Sequence, residues 1–196
     1  MHHKYHTDGL VLGSLPSQEA NKFVFILTRD FGLVGAHAQG LRAGKSKLKY
    51  SLQDFSLSHL SFVHGKSGWK IVGAHSETSF FSECKNNPSK LYVCAHIVSF
   101  LRKLVRGEEK DEKLFNIVES GMNFLGSQNL SYEEIGTFEC LLMLRILHQL
   151  GYIGVHEEFG DSIVSNVWNT KHIEVIQKNR KKSVEIINKA LKESHL

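Results

Sequence analysis

The sequence predicts an α+β chain in which five short strands close a small amino-terminal barrel and a set of helices follows. Three observations predict it. Over the first 80 residues apolar side chains recur in short, partly alternating runs bounded by Gly, Asp or Asn. After "SECKNNPSK" the spacing changes to the period of helices. With 196 residues, 41% of them hydrophobic and 22% charged, and only 2 prolines, the chain has material for two small cores and lacks the composition of a disordered linker.

The five strand-like runs are "YHTDGLVLG", "KFVFILTRD", "LVGAHAQG", "FSLSHLSFVHG" and "GWKIVGAHS". In the fourth, Phe55, Leu57, His59 and Ser61 alternate with Leu60 and Phe62. "TRDFGLV" supplies a tight turn between the second and third strands, and the Gly-rich "HGKSGW" a hairpin turn between the fourth and fifth. Between the third and fourth lies a long connection, "GLRAGKSKLKYSLQDF", residues 40–55. Five strands arranged this way fit an OB-type barrel, and an SH3-like barrel or a half-sandwich has the same strand count.

The first long helix starts with Asn87 as N-cap and Pro88 in the first helical position, and Gly107 marks its end. Cys94, Ile97, Val98, Leu101, Leu104 and Val105 form its apolar stripe. A second helix runs from about Asp111 to Leu125, with Leu114, Phe115, Val118 and Leu125 inward. The third opens at Ser131, with Glu134 completing a capping box, and continues through "FECLLMLRILHQLG" to Gly151. That run is apolar on nearly all sides, so the helix is central to a core. Residues 152–169 show no clear period, and 171–194 read as one basic helix. The change of period divides the chain into a barrel domain, 1–80, and a helical domain, 81–196.

Several function classes are disfavoured. No apolar run reaches the roughly 18 residues that span a bilayer, and "MHHKYHTDG" lacks a signal peptide's apolar centre, so a cytoplasmic protein is expected. The 3 cysteines, Cys84, Cys94 and Cys140, form no C-x-x-C pair and read as reduced core thiols. No P-loop, dinucleotide fingerprint, nucleophile elbow or H-E-x-x-H motif is present, and a non-enzymatic protein without cofactor is expected. Cys94 and His96 sit two apart on a helix, about 200° around its axis, which is poor geometry for a nucleophile and its base. His2, His3 and His6 read as surface residues, His37, His59, His64 and His75 lie in or beside strands as accidental neighbours among 12 histidines, and no metal is expected.

Charge is distributed unevenly. Residues 1–80 carry 9 Lys/Arg against 5 Asp/Glu, residues 81–170 carry 8 against 12, and residues 171–196 carry 7 against 3. Arg42, Lys45, Lys47 and Lys49 crowd one inter-strand connection, where cations can follow a phosphate backbone whatever its base sequence. Lys66 and Lys70 flank Trp69 in the last hairpin, with Phe31 and Tyr50 as further rings for base stacking, while the plainer expectation for Trp69 and Phe31 is barrel core. Lys178, Arg180, Lys181 and Lys182 form a second basic cluster, read either as a nucleic-acid contact or as the solvated face of a helix.

The span from "DGLVLGSLPSQEANKFVFILTRDFGLVGAHAQGLR" through "AGKSKLKYSLQDFSLSHLSFVHGKSGWKIVGA" resembles the amino-terminal domain of the RecO family of bacterial DNA-repair mediators. The resemblance is carried by "LTRDFGLVGAHAQGLR", by "KSKLKYSLQDF" close behind it, and by Glu19 before the second strand. "LFNIVESGMNFL" and "LLMLRILHQLG" are similar in kind to the family's helical domain. The resemblance implies an OB barrel followed by helices, in a nucleoid-associated protein of DNA repair and recombination. It would bind single- and double-stranded DNA, anneal complementary strands, contact single-strand-binding protein and RecR, and help load RecA. Many family members insert a four-cysteine zinc module after the central helix, where this chain has "YIGVHEEFGDSIVSNVW" and no cysteine. An RNA-binding or regulatory OB protein and a protein-interaction scaffold are the alternative readings.

Overall fold

The computed structural model describes residues 3–17, 21–41 and 48–194. Strands β1 (Lys4–Ser17), β2 (Asn21–Thr28), β3 (Gly32–Ala38), β4 (Ser56–Gly65) and β5 (Gly68–Ser79) form a closed barrel in the order β1-β2-β3-β5-β4. All pairs are antiparallel except β3–β5, which is parallel. This is the five-stranded OB fold. β1 is long enough to serve two neighbours: residues 4–10 pair with β4 and residues 9–17 with β2. A register shift between Val11 and Gly13, with Gly13 at φ 133°, bends the strand where it passes from one partner to the other.

The barrel core gathers Val11, Val24, Ile26, Val34, Leu60, Phe62 and Ile71. Alternation places them there. On β3, Val34, Ala36 and Ala38 are buried, while Leu33, Gly35 and His37 between them are only partly covered. Phe55, expected as the first residue of the fourth strand, lies outside it with φ 67°. Its left-handed backbone cannot continue a pleated strand, so the strand starts one residue later.

Helices α1 (Phe80–Cys84), α2 (Pro88–Leu104), α3 (Glu112–Ser127), α4 (Tyr132–Gln149), α5 (Thr170–Lys178) and α6 (Arg180–Glu193) follow. The chain groups into two compact units, one comprising Met1–Glu83 with Val98–Glu112, the other Cys84–Ile97 with Lys113–Leu196. In the barrel unit the Arg102 guanidinium lies 4.4 Å from the centre of the Phe25 ring. Leu33 N–H donates to Gly107 O at 3.2 Å, and Lys110 Nζ to Asp30 Oδ1 at 3.0 Å. The chain passes so close that a Cβ on Gly32 would fall 2.3 Å from Glu109 O. The hydrogen bond and charge of Lys110, with a second hydrogen bond from Thr7, hold the Asp30 carboxyl below its ordinary value.

In the helical unit α4 is central, with Phe138, Leu141, Leu142, Leu144 and Ile146 fully buried. Its start is the expected capping box: Glu134 N–H donates to Ser131 Oγ at 3.3 Å and Ser131 N–H to Glu134 Oε2 at 2.7 Å. Residues 152–169 are held by a buried cation. Arg145 Nε donates to Ser162 O at 2.9 Å and Nη2 to Val167 O at 3.0 Å, and the guanidinium stacks 4.0 Å from the Trp168 ring. Burial lowers its pKa to about 10.

The single basic helix expected over 171–194 is two helices. Asn179 interrupts it at φ −111°, ψ 21°, and its side-chain amide donates to Val175 O at 3.0 Å and Glu158 O at 3.2 Å. A side chain that bonds nearby backbone competes with the helical ladder. Among the described residues no helix is long and apolar enough to cross a membrane.

Candidate nucleic-acid interface

The tip of the β4–β5 hairpin, Gly65–Gly68, carries Lys66, and the two-residue period of β5 then separates the next side chains. Trp69 and Ile71 point into the barrel and are 7% and 3% exposed, while Lys70 and Val72 point outward. The Trp69 ring packs 5.2 Å from Tyr5, 5.4 Å from Phe31, 5.7 Å from Phe62 and 4.7 Å from His64, centre to centre. This burial fits the plainer expectation for Trp69, barrel core. It belongs to the barrel core and also lines the cleft that opens there. Tyr50 is 74% exposed.

A cleft of about 480 Å³ opens beside this cluster. Ser17 and Asn21 line it from the two sides of the β1–β2 connection, His37 and Gln39 from the end of β3, and His64, Lys66 and Lys70 from the β4–β5 hairpin. Among the described residues no carboxylate lines it. His37 stands opposite Lys70 in the parallel β3–β5 pair. Asn21 Oδ1 accepts from Gly40 N–H at 3.0 Å, tying the exit of β3 to the start of β2. The basic connection leaves the barrel at this edge. Arg42, Lys45 and Lys47, like Glu19 and His2, lie outside the described residues. Lys49 is exposed and does not line this cleft.

Sequence reading named Lys66, Trp69 and Lys70 and missed His37, His64, Gln39 and Asn21 as lining residues. Alternation alone separates Lys70 from Trp69, since adjacent strand residues face opposite ways. Nothing local pairs His37 with a residue of β5.

The second basic cluster lies in the helical unit, at the junction of α5 and α6. Arg180 Nη1 donates to Thr137 Oγ1 at 3.0 Å, and the Lys182 ammonium pairs with Glu158. Lys178 and Lys181 are exposed and carry no ion pair among the described residues. Two of the four cations are therefore engaged within the unit, and two are presented to solvent.

Among the described residues no three His, Cys, Asp or Glu side chains are grouped to hold a metal. Cys84, Cys94 and Cys140 are buried, and burial pushes the Cys140 thiol up. Residues 152–169 contribute no cysteine, so a four-cysteine zinc set does not fit this chain.

Strand order, parallel closure and cleft define an OB-fold protein whose barrel is followed by helices. Residues 1–74 match the family described as Recombination protein O N terminal. The chain is 28% identical to a DNA repair protein RecO of Christiangramia forsetii over 151 residues, covering 75% of this chain and 61% of that protein. A DNA repair protein RecO of Myxococcus xanthus is 25% identical, with 69% and 56% covered, and one of Rubrobacter xylanophilus 28% identical, with 76% and 58% covered. Over its first 74 residues the chain is similar to the RecO family, and the similarity to these relatives continues into the helices. It spans 56 to 61% of the length of these three relatives.

Proposed function

We propose that the chain binds single-stranded DNA in the cleft between β3 and the β4–β5 hairpin and acts in DNA repair and recombination as a mediator. One observation carries the reading: Lys66, Lys70, His37 and His64 converge on one cleft, which no carboxylate lines among the described residues. It lies where OB barrels bind oligonucleotides, beside the β1–β2 and β4–β5 connections. Cations there neutralise phosphates and release counterions, which gives affinity without sequence preference.

The names of the relatives support the pathway. In this reading the chain is not an enzyme. It holds single- and double-stranded DNA, anneals complementary strands, and helps a RecA-type recombinase onto strands coated by single-strand-binding protein, with RecR as a further partner. The cations Arg42, Lys45, Lys47 and Lys49 of the β3–β4 connection add phosphate contacts.

Fluorescence anisotropy with a labelled oligothymidylate, at about 50 and 200 mM salt, tests the binding step. Log affinity falls with log salt by about 0.7 for each phosphate neutralised. Absence of binding at low salt overturns the reading, and tighter binding to a folded RNA than to DNA of equal length moves the protein to the RNA-binding class.

A further inference from the structure

The barrel unit has a second cleft, of about 660 Å³. Its floor is Leu41 and Leu52, both buried. The Phe55 and Phe81 side chains line it, and Phe81, at 46% exposure, is open to solvent. Lys22 and Lys49 lie at its rim with one carboxylate, Asp54. Lys22 Nζ donates to Ser14 Oγ at 3.0 Å, an uncharged partner, and makes no ion pair among the described residues.

Phe55 is the one described residue other than glycine with a positive φ, at 67°. A bulky side chain is strained there, and such strain persists only where the surroundings impose it. Here they do: Phe55 N–H donates to Val11 O at 3.0 Å, and Phe55 O accepts from Phe80 N–H at 3.1 Å. The two bonds fix this backbone between β1 and the start of α1. What they hold in place is an aromatic wall for the cleft.

The two clefts draw on the same stretches of chain. Asn21 lines the first and its neighbour Lys22 the second, and Gln39 lines the first while Leu41 lines the second. We propose that the second cleft seats a base of the same DNA strand, with Phe81 and Phe55 as its stacking surfaces and Lys22 and Lys49 on the flanking phosphates. This rests on the DNA-binding reading and extends it to a second site. Aromatic rings accept the π-face of any base, so the contact tolerates sequence while it distinguishes a strand with bases from one without.

The full chain is titrated with labelled oligothymidylate and with an abasic deoxyribose-phosphate strand of equal length and charge. The parent prefers the strand with bases by about tenfold, the effect of one base stacked on an aromatic side chain. F81A, at an exposed position, and F55G, which installs the residue that this φ favours, keep the salt dependence and lose most of the preference. K22Q keeps the preference and lowers the salt slope by about 0.7, and K22R restores the slope. If F55G fails to fold, F81A decides alone. The proposal is overturned if the parent binds both strands equally, or if F81A discriminates as the parent does. In that event a K66A/K70A variant that still weakens binding leaves the first cleft standing, whereas a parent that binds neither strand removes the DNA-binding reading itself.

Discussion

His37 on β3 stands opposite Lys70 on β5 in the parallel pair that closes the barrel. This pairing brings the exit of β3, where the basic connection begins, beside the hairpin that carries Lys66. Replacing Lys66 and Lys70 by Ala lowers the salt slope of single-strand binding by about 0.7 for each phosphate that the variant no longer neutralises. Affinity falls to a similar degree for every sequence, because phosphate contacts carry no base readout. Anisotropy titrations on several oligonucleotides check this, and a sequence-dependent loss contradicts it.

Trp69 contributes to stability before it contributes to binding. Trp69→Ala costs about 3 to 5 kcal/mol in denaturant unfolding, the range for removing a large buried aromatic. Trp69→Phe costs much less and keeps DNA affinity, since the buried indole N–H has no hydrogen-bond partner to lose. A stacking role predicts the opposite: normal stability and lost affinity in Trp69→Ala.

Asp30 links the β2–β3 turn to the segment ending at Glu112 through its bond to Lys110. Its folded pKa lies below the ordinary 3.8, so the unfolded chain takes up the proton first as pH falls. The stabilisation is fully present above the unfolded value and is lost as pH drops through the folded one. Asp30→Asn removes this part of the acid dependence. Thermal midpoints of the parent and variant therefore differ at pH 6 and converge toward pH 2, and a constant difference refutes the assignment.

In the helical unit, Lys178→Ala with Lys181→Ala slows the pairing of two labelled complementary strands while single-strand affinity at the barrel stays close to the parent's. Arg180→Ala instead lowers the thermal midpoint, because its guanidinium donates to Thr137 at the start of α4. The loss is on the order of 1 kcal/mol, the net worth of one hydrogen bond. Parental annealing in the double variant makes the exposed lysines a solvated face only.

Most elements were legible because their signals are local. The capping box of Ser131 and Glu134 spans three residues, and the N-cap of α2, where Asn87 Oδ1 accepts from Lys90 N–H at 3.2 Å, spans the same distance. Short apolar runs bounded by Gly, Asp or Asn marked the strands. Where reading failed, a distant partner had intervened. Asn179 breaks the last helix while bonding Glu158 O, 21 residues earlier, and Phe55 is turned out of β4 between Val11 and Phe80.

By itself, then, the sequence determined the strand and helix periods, the caps, the barrel followed by helices, and the excess of cations on the β3–β4 connection. These depend on side chains within a turn or two of one another. The tertiary structure decided that Ala36–Ala38 pair with Trp69–Ile71, that the buried Trp69 and the outward Lys70 both line one cleft, and that Val98–Glu112 groups with the barrel. Such choices rest on which distant segments bury one another's apolar faces, a sum over the whole chain that no short window contains.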